Sequence, residues 1–93
     1  MACPFTTWGV PTRPSQTDPK RARMWERRRH AVGVRIRTVR HDRDMTQEAL
    51  ALASGVTRNV LIDVEHGRRG LLFERLFDIA DALGVPVAEL LRE

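Results

Sequence analysis

Four residues near the middle of the chain have side chains suited to the edges of DNA bases: Arg58, Asn59, Ile62 and Asp63. An arginine donates two hydrogen bonds to guanine, and an asparagine amide pairs with adenine. The isoleucine suits a thymine methyl group or, alternatively, packs beneath the loop at Leu71 and Leu72. The aspartate accepts from a cytosine amino group, repels phosphate or pairs with a nearby arginine. On an arbitrary helix all four would be ordinary solvated residues. Whether they bind DNA therefore depends on the structural element that positions them.

Residues 47–66 have the pattern of two short helices joined by a tight turn. Ala51 is small enough for two helix backbones to approach closely. Gly55 stands where a turn of about three to four residues needs a positive φ, which other residues adopt only at a cost. The apolar residues spaced to fill the wedge between the helices are Leu50, Val56, Leu61 and Val64. The second helix therefore directs the four base-reading candidates outward.

Residues 32–91 resemble the lambda-repressor-like helix-turn-helix family, which is the Cro and phage-repressor type also called XRE. The segments that carry the resemblance are 32–40 (VGVRIRTVR), 46–51 (TQEALA), 56–67 (VTRNVLIDVEHG), 76–85 (LFDIADALGV) and 87–91 (VAELL). One departure follows Gly67, where the family often has a proline and this chain has residues 68–73 (RRGLLF). The resemblance implies an all-α fold, a compact five-helix domain that binds DNA.

The same resemblance assigns roles to the polar residues around the two crossing helices. It implies that residues 57–66 form the recognition helix, which lies in the major groove, and that the four outward-facing residues contact the bases. Gln47 opens the preceding helix, where free N–H groups favour a phosphate, with simple capping as the alternative. The residues expected on phosphates are Gln47, Thr57, Arg68, Arg69, Arg37 and Arg43. Arg40 and Glu65 are expected to form a structural salt bridge between the first helix and the recognition helix.

Charge is distributed unevenly along the chain. The formal net charge is +4. Residues 1–45 contain eleven Lys or Arg and four Asp or Glu, a balance of +7, whereas residues 46–93 contain five and eight, a balance of −3. We expect the basic first half to carry the electrostatic attraction to a polyanion.

Three segments are expected. Residues 1–19 contain several prolines and no helical period, which predicts a disordered N-terminal tail. Residues 20–30 are expected to form a basic helical extension, because Asp18 can cap a helix and Pro19 suits its first position. This extension is either a separate short helix or part of the first helix, and Gly33 is a candidate for a break. Residues 31–93 form the helix-turn-helix domain.

Several function classes lack their sequence signals. The chain has no Gly-rich phosphate loop and no Gly-x-Ser-x-Gly elbow, and its three histidines lack metal-ligand spacing. A single cysteine, Cys3, fits a reducing cytoplasm. No stretch approaches the roughly 18 apolar residues of a membrane span. We expect no enzyme activity, no cofactor, no metal site and no membrane association, in a cytoplasmic, nucleoid-associated protein.

The sequence therefore predicts a prokaryotic, repressor-like transcriptional regulator that binds double-stranded DNA as a homodimer at a palindromic operator. Two alternatives stay open. The domain is an antitoxin-like component with a toxin as its protein partner, which a neighbouring toxin-like reading frame would favour. Otherwise it is a protein-interaction module in which Val60 and Ile62 contact another protein, which failure to bind any duplex would favour.

Overall fold

The computed structural model describes residues 18–92, and these residues form five α-helices and no strand. In chain order the helices are α1 (Pro19–Asp42), α2 (Gln47–Ser54), α3 (Arg58–Glu65), α4 (Phe73–Leu83) and α5 (Val87–Leu91). This confirms the predicted all-α, five-helix class. Residues 1–17 of the predicted tail lie outside the described residues. The last two residues of that segment belong instead to the start of α1 and its cap.

Helix α1 is one continuous helix of 24 residues, so of the two alternatives the basic segment is an extension of the first helix, and Gly33 does not break it. The carboxylate of Asp18 caps the first turn, as the sequence predicts. Gly33 is buried where α1 crosses the end of α3, and a Cβ there would collide with the carbonyl groups of Val64 and Glu65. The glycine therefore permits a close helix crossing. The basic extension is the first half of α1.

The hydrophobic core lies where the five helices meet. The largest fully buried side chains are Ile36, Leu50, Leu61, Ile79, Leu83 and Leu90. Every helix contributes at least one of them, and full burial of such a side chain stabilises the fold by about 1.5 to 3 kcal/mol. The four predicted wedge residues between α2 and α3 are all buried. The most N-terminal core residue of α1 is Ile36, so the first half of this helix extends beyond the core.

The turn between α2 and α3 has the predicted geometry. Gly55 takes a φ of 78°, and its N–H donates to the Ala51 carbonyl at 2.9 Å. A hydroxyl caps each helix: Thr46 Oγ1 accepts from the Ala49 N–H at 3.0 Å, and Thr57 Oγ1 accepts from the Val60 N–H at 3.3 Å. Local sequence therefore fixes the start of both helices and the turn between them.

The loop between α3 and α4 contains no proline. Gly67 has a φ of 73° and ends the turn that follows α3. Leu71 is half-buried and packs against the core. Leu72 precedes α4 in extended conformation, is 71% exposed and makes no side-chain capping hydrogen bond. A single leucine thus anchors the loop.

Candidate nucleic-acid interface

The first turn of α3 presents Arg58 and Asn59 to solvent. Both residues are exposed, and within residues 18–92 neither side chain takes part in a hydrogen bond or ion pair. Ile62 and Asp63, one turn later, are half-buried. The outward face predicted from the sequence therefore exists. Its N-terminal pair has all its side-chain donors available for a ligand.

Asp63 has an arginine partner, one of the three alternatives that its sequence position leaves open. Its Oδ1 accepts from Nη2 of Arg68 at 3.2 Å and from Nε at 3.3 Å. The two side chains are 38% and 60% exposed, and an ion pair so exposed contributes about 0 to 1 kcal/mol. The pair holds Arg68 beside α3, but its guanidinium is still exposed to solvent. A phosphate contact by Arg68 therefore stays a prediction.

The other end of α3 is held by the ion pair that the resemblance implies. Nε and Nη2 of Arg40 donate to the two carboxylate oxygens of Glu65 at 2.7 and 3.0 Å. The third nitrogen, Nη1, donates to the Met45 carbonyl at 2.9 Å. The side chains are only 7% and 1% exposed. In a bidentate pair the two parallel hydrogen bonds fix both the distance and the relative orientation of guanidinium and carboxylate. This pair therefore ties α3 rigidly to α1.

Gln47 is drawn into the same buried cluster. Its amide Nε2 donates to Oε1 of Glu65 at 3.1 Å, which links α2 to the pair between α1 and α3. The side chain predicted to contact phosphate is thus engaged by a carboxylate. The second amide N–H of Gln47 and the backbone N–H groups at this helix start remain available to a phosphate, so that contact stays a prediction. The residues that line one shallow cleft at this point are Arg40, Thr46, Gln47, Glu48 and Arg58.

The remaining phosphate candidates fall into two groups. Thr57, Arg69 and Arg37 are exposed, and Arg37 lies one turn after Gly33 on the flank of α1 that contacts α3. Arg43 is placed differently, because its Nη1 lies 3.8 Å from the position that a Cβ would take at Gly84. It thus lies beside the glycine that ends α4 and is itself exposed, so its phosphate contact stays a prediction.

A family model described as helix-turn-helix matches residues 36–90, which is more than half of the chain. The chain belongs to the XRE-type helix-turn-helix family. Members of this family are DNA-binding transcriptional regulators and not enzymes. The match includes α2 to α4, most of α5 and the second half of α1. The first half of α1 lies outside it.

Relatives and solved structures agree with this assignment. An immunity repressor of Bacillus phage phi105 is 36% identical over 62 residues, which are 67% of this chain and 43% of the phage protein. An HTH-type transcriptional regulator of Sinorhizobium fredii is also 36% identical over 62 residues and is covered to 80%. The chain thus spans less than half of the first relative and most of the second.

Two crystal structures have the same helical arrangement. The restriction-modification controller protein C.AhdI from Aeromonas hydrophila superposes with a TM-score of 0.66 at 32% identity, covering 67% of this chain and 94% of the controller. The clp gene regulator ClgR from Corynebacterium glutamicum gives a TM-score of 0.65 at 38% identity, covering 68% and 82%. The similarity extends over about two thirds of this helix-turn-helix protein.

Two arginines of α1 have tertiary roles that sequence reasoning missed. Arg35 donates from Nε to the Glu89 carbonyl at 3.0 Å and from Nη2 to the Glu89 carboxylate at 3.2 Å, which ties α1 to α5. Arg29 packs under the loop after α3, where its Cδ lies 3.7 Å from the position of a Cβ at Gly70. The partners are far apart in sequence, so no local pattern indicates these contacts.

None of the helices in residues 18–92 has the length and apolar character of a membrane-spanning segment. The same part of the chain holds no group of three or more His, Cys, Asp or Glu side chains placed to bind a metal ion.

Proposed function

We propose that the chain is a sequence-specific, repressor-like transcriptional regulator, which binds double-stranded DNA as a homodimer at a palindromic operator and acts in the cytoplasm at the nucleoid. The observation that carries this proposal is the contrast between the two ends of α3. Among residues 18–92 the side chains of Arg58 and Asn59 in the N-terminal turn have no hydrogen-bond or ion-pair partner, whereas the C-terminal turn is held by Arg40 and Glu65. A fixed helix with free donors at its start suits base reading in the major groove.

The dimensions of α3 support this orientation. Its eight residues span about 12 Å, and the major groove is about 12 Å wide. A helix of this length brings its first turn to the bases and its last turn to the edge of the groove. In this pose the N–H groups at the start of α2 serve a phosphate, and the side chains that contact phosphates are Gln47, Thr57, Arg37, Arg43, Arg68 and Arg69.

Homodimer formation is the second part of the proposal. Phe73 and Phe77 lie one turn apart on α4 and are 68% and 52% exposed, next to the exposed Leu72. Exposed apolar patches of this kind are commonly buried in subunit interfaces. Two copies place their recognition helices about one DNA turn apart, which matches a palindrome with half-sites about 34 Å apart.

The test begins with selection of bound duplexes from a random pool. We expect Arg58→Ala and Asn59→Ala each to weaken binding to the selected site by about 1 to 3 kcal/mol and to have little effect on random duplex, because only the correct base offers the paired acceptors. Arg75→Ala is the matched control, since this exposed arginine lies on α4 and pairs with Asp78.

Dimeric docking is tested on the same selected site. Inserting about five base pairs between the half-sites turns one of them to the opposite side of the duplex. The second half-site should then no longer increase the binding affinity. If the parent binds selected and random DNA equally, or if the variants keep its selectivity, α3 does not read a groove.

A further inference from the structure

We propose that the first half of α1 supplies a separate contact to the DNA backbone, through a basic cleft that binds a phosphate flanking the site read by α3. The cleft lies between α1 and the residues that follow α3. This inference rests on the proposed function, because α3 must lie in the groove for the cleft to reach the backbone. It deepens that proposal with residues of α1 that lie outside the helix-turn-helix match at 36–90.

The cleft has a volume of about 700 Å³. The polar side chains that line it are Glu26, Arg27, Arg29, His30, His66 and Arg68. Three arginines thus face one glutamate, and Asp63 offsets part of the charge of Arg68. The imidazole of His66 donates from Nδ1 to the Ile62 carbonyl at 2.8 Å, which orients the ring beside the end of α3. The lining carries an excess of positive charge and several hydrogen-bond donors, which are the groups that bind phosphate.

A close backbone contact builds the cleft. Gly67 has a φ of 73°, and a Cβ at this position would lie 2.8 Å from Cα of His30 and 3.1 Å from its Cβ. Only glycine tolerates both the conformation and this approach. The chain leaving α3 therefore touches α1 directly at His30. This contact fixes the arginines of α1 relative to Arg68.

Arg29 gives the second observation. Its Nε is buried and has no acceptor among the described residues. By contrast, all three nitrogens of the buried Arg40 donate to acceptors. A buried donor without an acceptor is unfavourable, and the positive charge beside it is uncompensated. A phosphate in the cleft would neutralise the guanidinium of Arg29 and of its neighbour Arg27.

The position of the cleft matches the path of the DNA strand. With its first turn on the bases, α3 reaches across a groove about as wide as its own length. Its last turn, followed by His66, Gly67 and Arg68, then lies at the groove edge, where the sugar–phosphate backbone runs. The first half of α1 continues from this edge, so it meets phosphates beyond those that α2 and α3 contact.

The experiment compares Arg27→Gln with Arg21→Gln on the selected site. Both residues are exposed on the first half of α1, but Arg21 lies on another side of the helix and does not line the cleft. Each change removes one charge without removing a core contact. We expect Arg27→Gln to lower the slope of log affinity against log salt by about 0.9 per protomer, or about 1.8 for the homodimer, because one phosphate in each half-site is no longer neutralised, and Arg21→Gln to leave the slope nearly unchanged.

Duplex length provides the second arm. On a duplex trimmed to end at the half-sites, the flanking phosphate is missing, so we expect the parent and Arg27→Gln to bind with the same salt slope. Equal slopes for Arg27→Gln and Arg21→Gln on the long duplex, or an Arg27→Gln effect that persists on the trimmed duplex, would overturn this inference and leave base reading by α3 intact. A parent that binds no duplex would overturn both proposals.

Inorganic phosphate distinguishes a free ion from the DNA backbone. It is titrated into the parent and into Arg27→Gln while the imidazole resonances of His30 and His66 are followed by NMR. A saturable shift in the parent that Arg27→Gln removes, together with an unchanged DNA salt slope, would assign the cleft to a free phosphate ion and overturn the backbone contact. A reduced DNA salt slope for Arg27→Gln supports the contact.

Discussion

The two halves of α1 contain the same residue type in opposite settings. After Gly33 the helix is part of the core: Ile36 and Val39 are buried, and Arg40 is buried with every donor group engaged. Before Gly33 the helix is mostly exposed, and its arginines line a cleft or face solvent. Arg40 thus fixes a helix crossing in one half, whereas Arg27 in the other half remains available for a ligand. The difference lies in the acceptors that tertiary contacts supply.

The buried half should account for stability and the exposed half for binding. Breaking a buried ion pair leaves an uncompensated charge in the interior, whereas an exposed pair is replaced by water. Substitutions in the two halves therefore test whether this division holds.

The largest effect is expected from Glu65→Ala. This variant leaves the buried guanidinium of Arg40 without its carboxylate and removes the acceptor of Gln47, so the free energy of unfolding should fall by about 3 to 5 kcal/mol. Denaturant unfolding measures the loss. Asp78→Ala is the control, because it breaks an exposed pair with Arg75 and should cost no more than about 1 kcal/mol. If stability is unchanged and DNA binding is lost, the buried pair acts in DNA binding and does not stabilise the fold.

A smaller loss is expected from Gly33→Ala, at the boundary between the halves. The added methyl group would meet the carbonyls of Val64 and Glu65, so the helices must separate, at a cost of about 1 to 3 kcal/mol. Gly70→Ala is the matched control, because a Cβ there meets only the side chain of Arg29 at 3.7 Å. The thermal unfolding midpoints of the two variants measure this difference in stability. Equal midpoints for the two variants would show that the crossing is not tightly packed.

The smallest effect is expected from Trp25→Ala in the exposed half of α1. The tryptophan is 44% exposed and lies outside the core cluster, so its loss should change the free energy of unfolding by less than about 0.5 kcal/mol. Denaturant unfolding followed by circular dichroism gives the value. A loss above about 2 kcal/mol would mean that the first half of α1 is as much a part of the folded core as the second.

The sequence by itself determined the unit built from α2, the turn and α3. The wedge residues, the two capping threonines and the positive φ of Gly55 all follow from local rules of helix period, capping and turn geometry. The family resemblance also led to the pairing of Arg40 with Glu65, which periodicity does not reveal. In this region each residue type meets a requirement set by its near neighbours in the chain.

Only the tertiary structure decided the uses of residues whose partners are distant in sequence. Gly33 reads locally as a helix break, but the crossing of α3 makes it a site of close approach. Gln47 is a predicted phosphate ligand from the sequence alone, and the structure adds a hydrogen bond from its amide to Glu65. Arg29 belongs to an ordinary arginine run until the loop after α3 covers it. Helix period and capping act over a few residues, whereas these contacts depend on how whole helices pack, which no local pattern records.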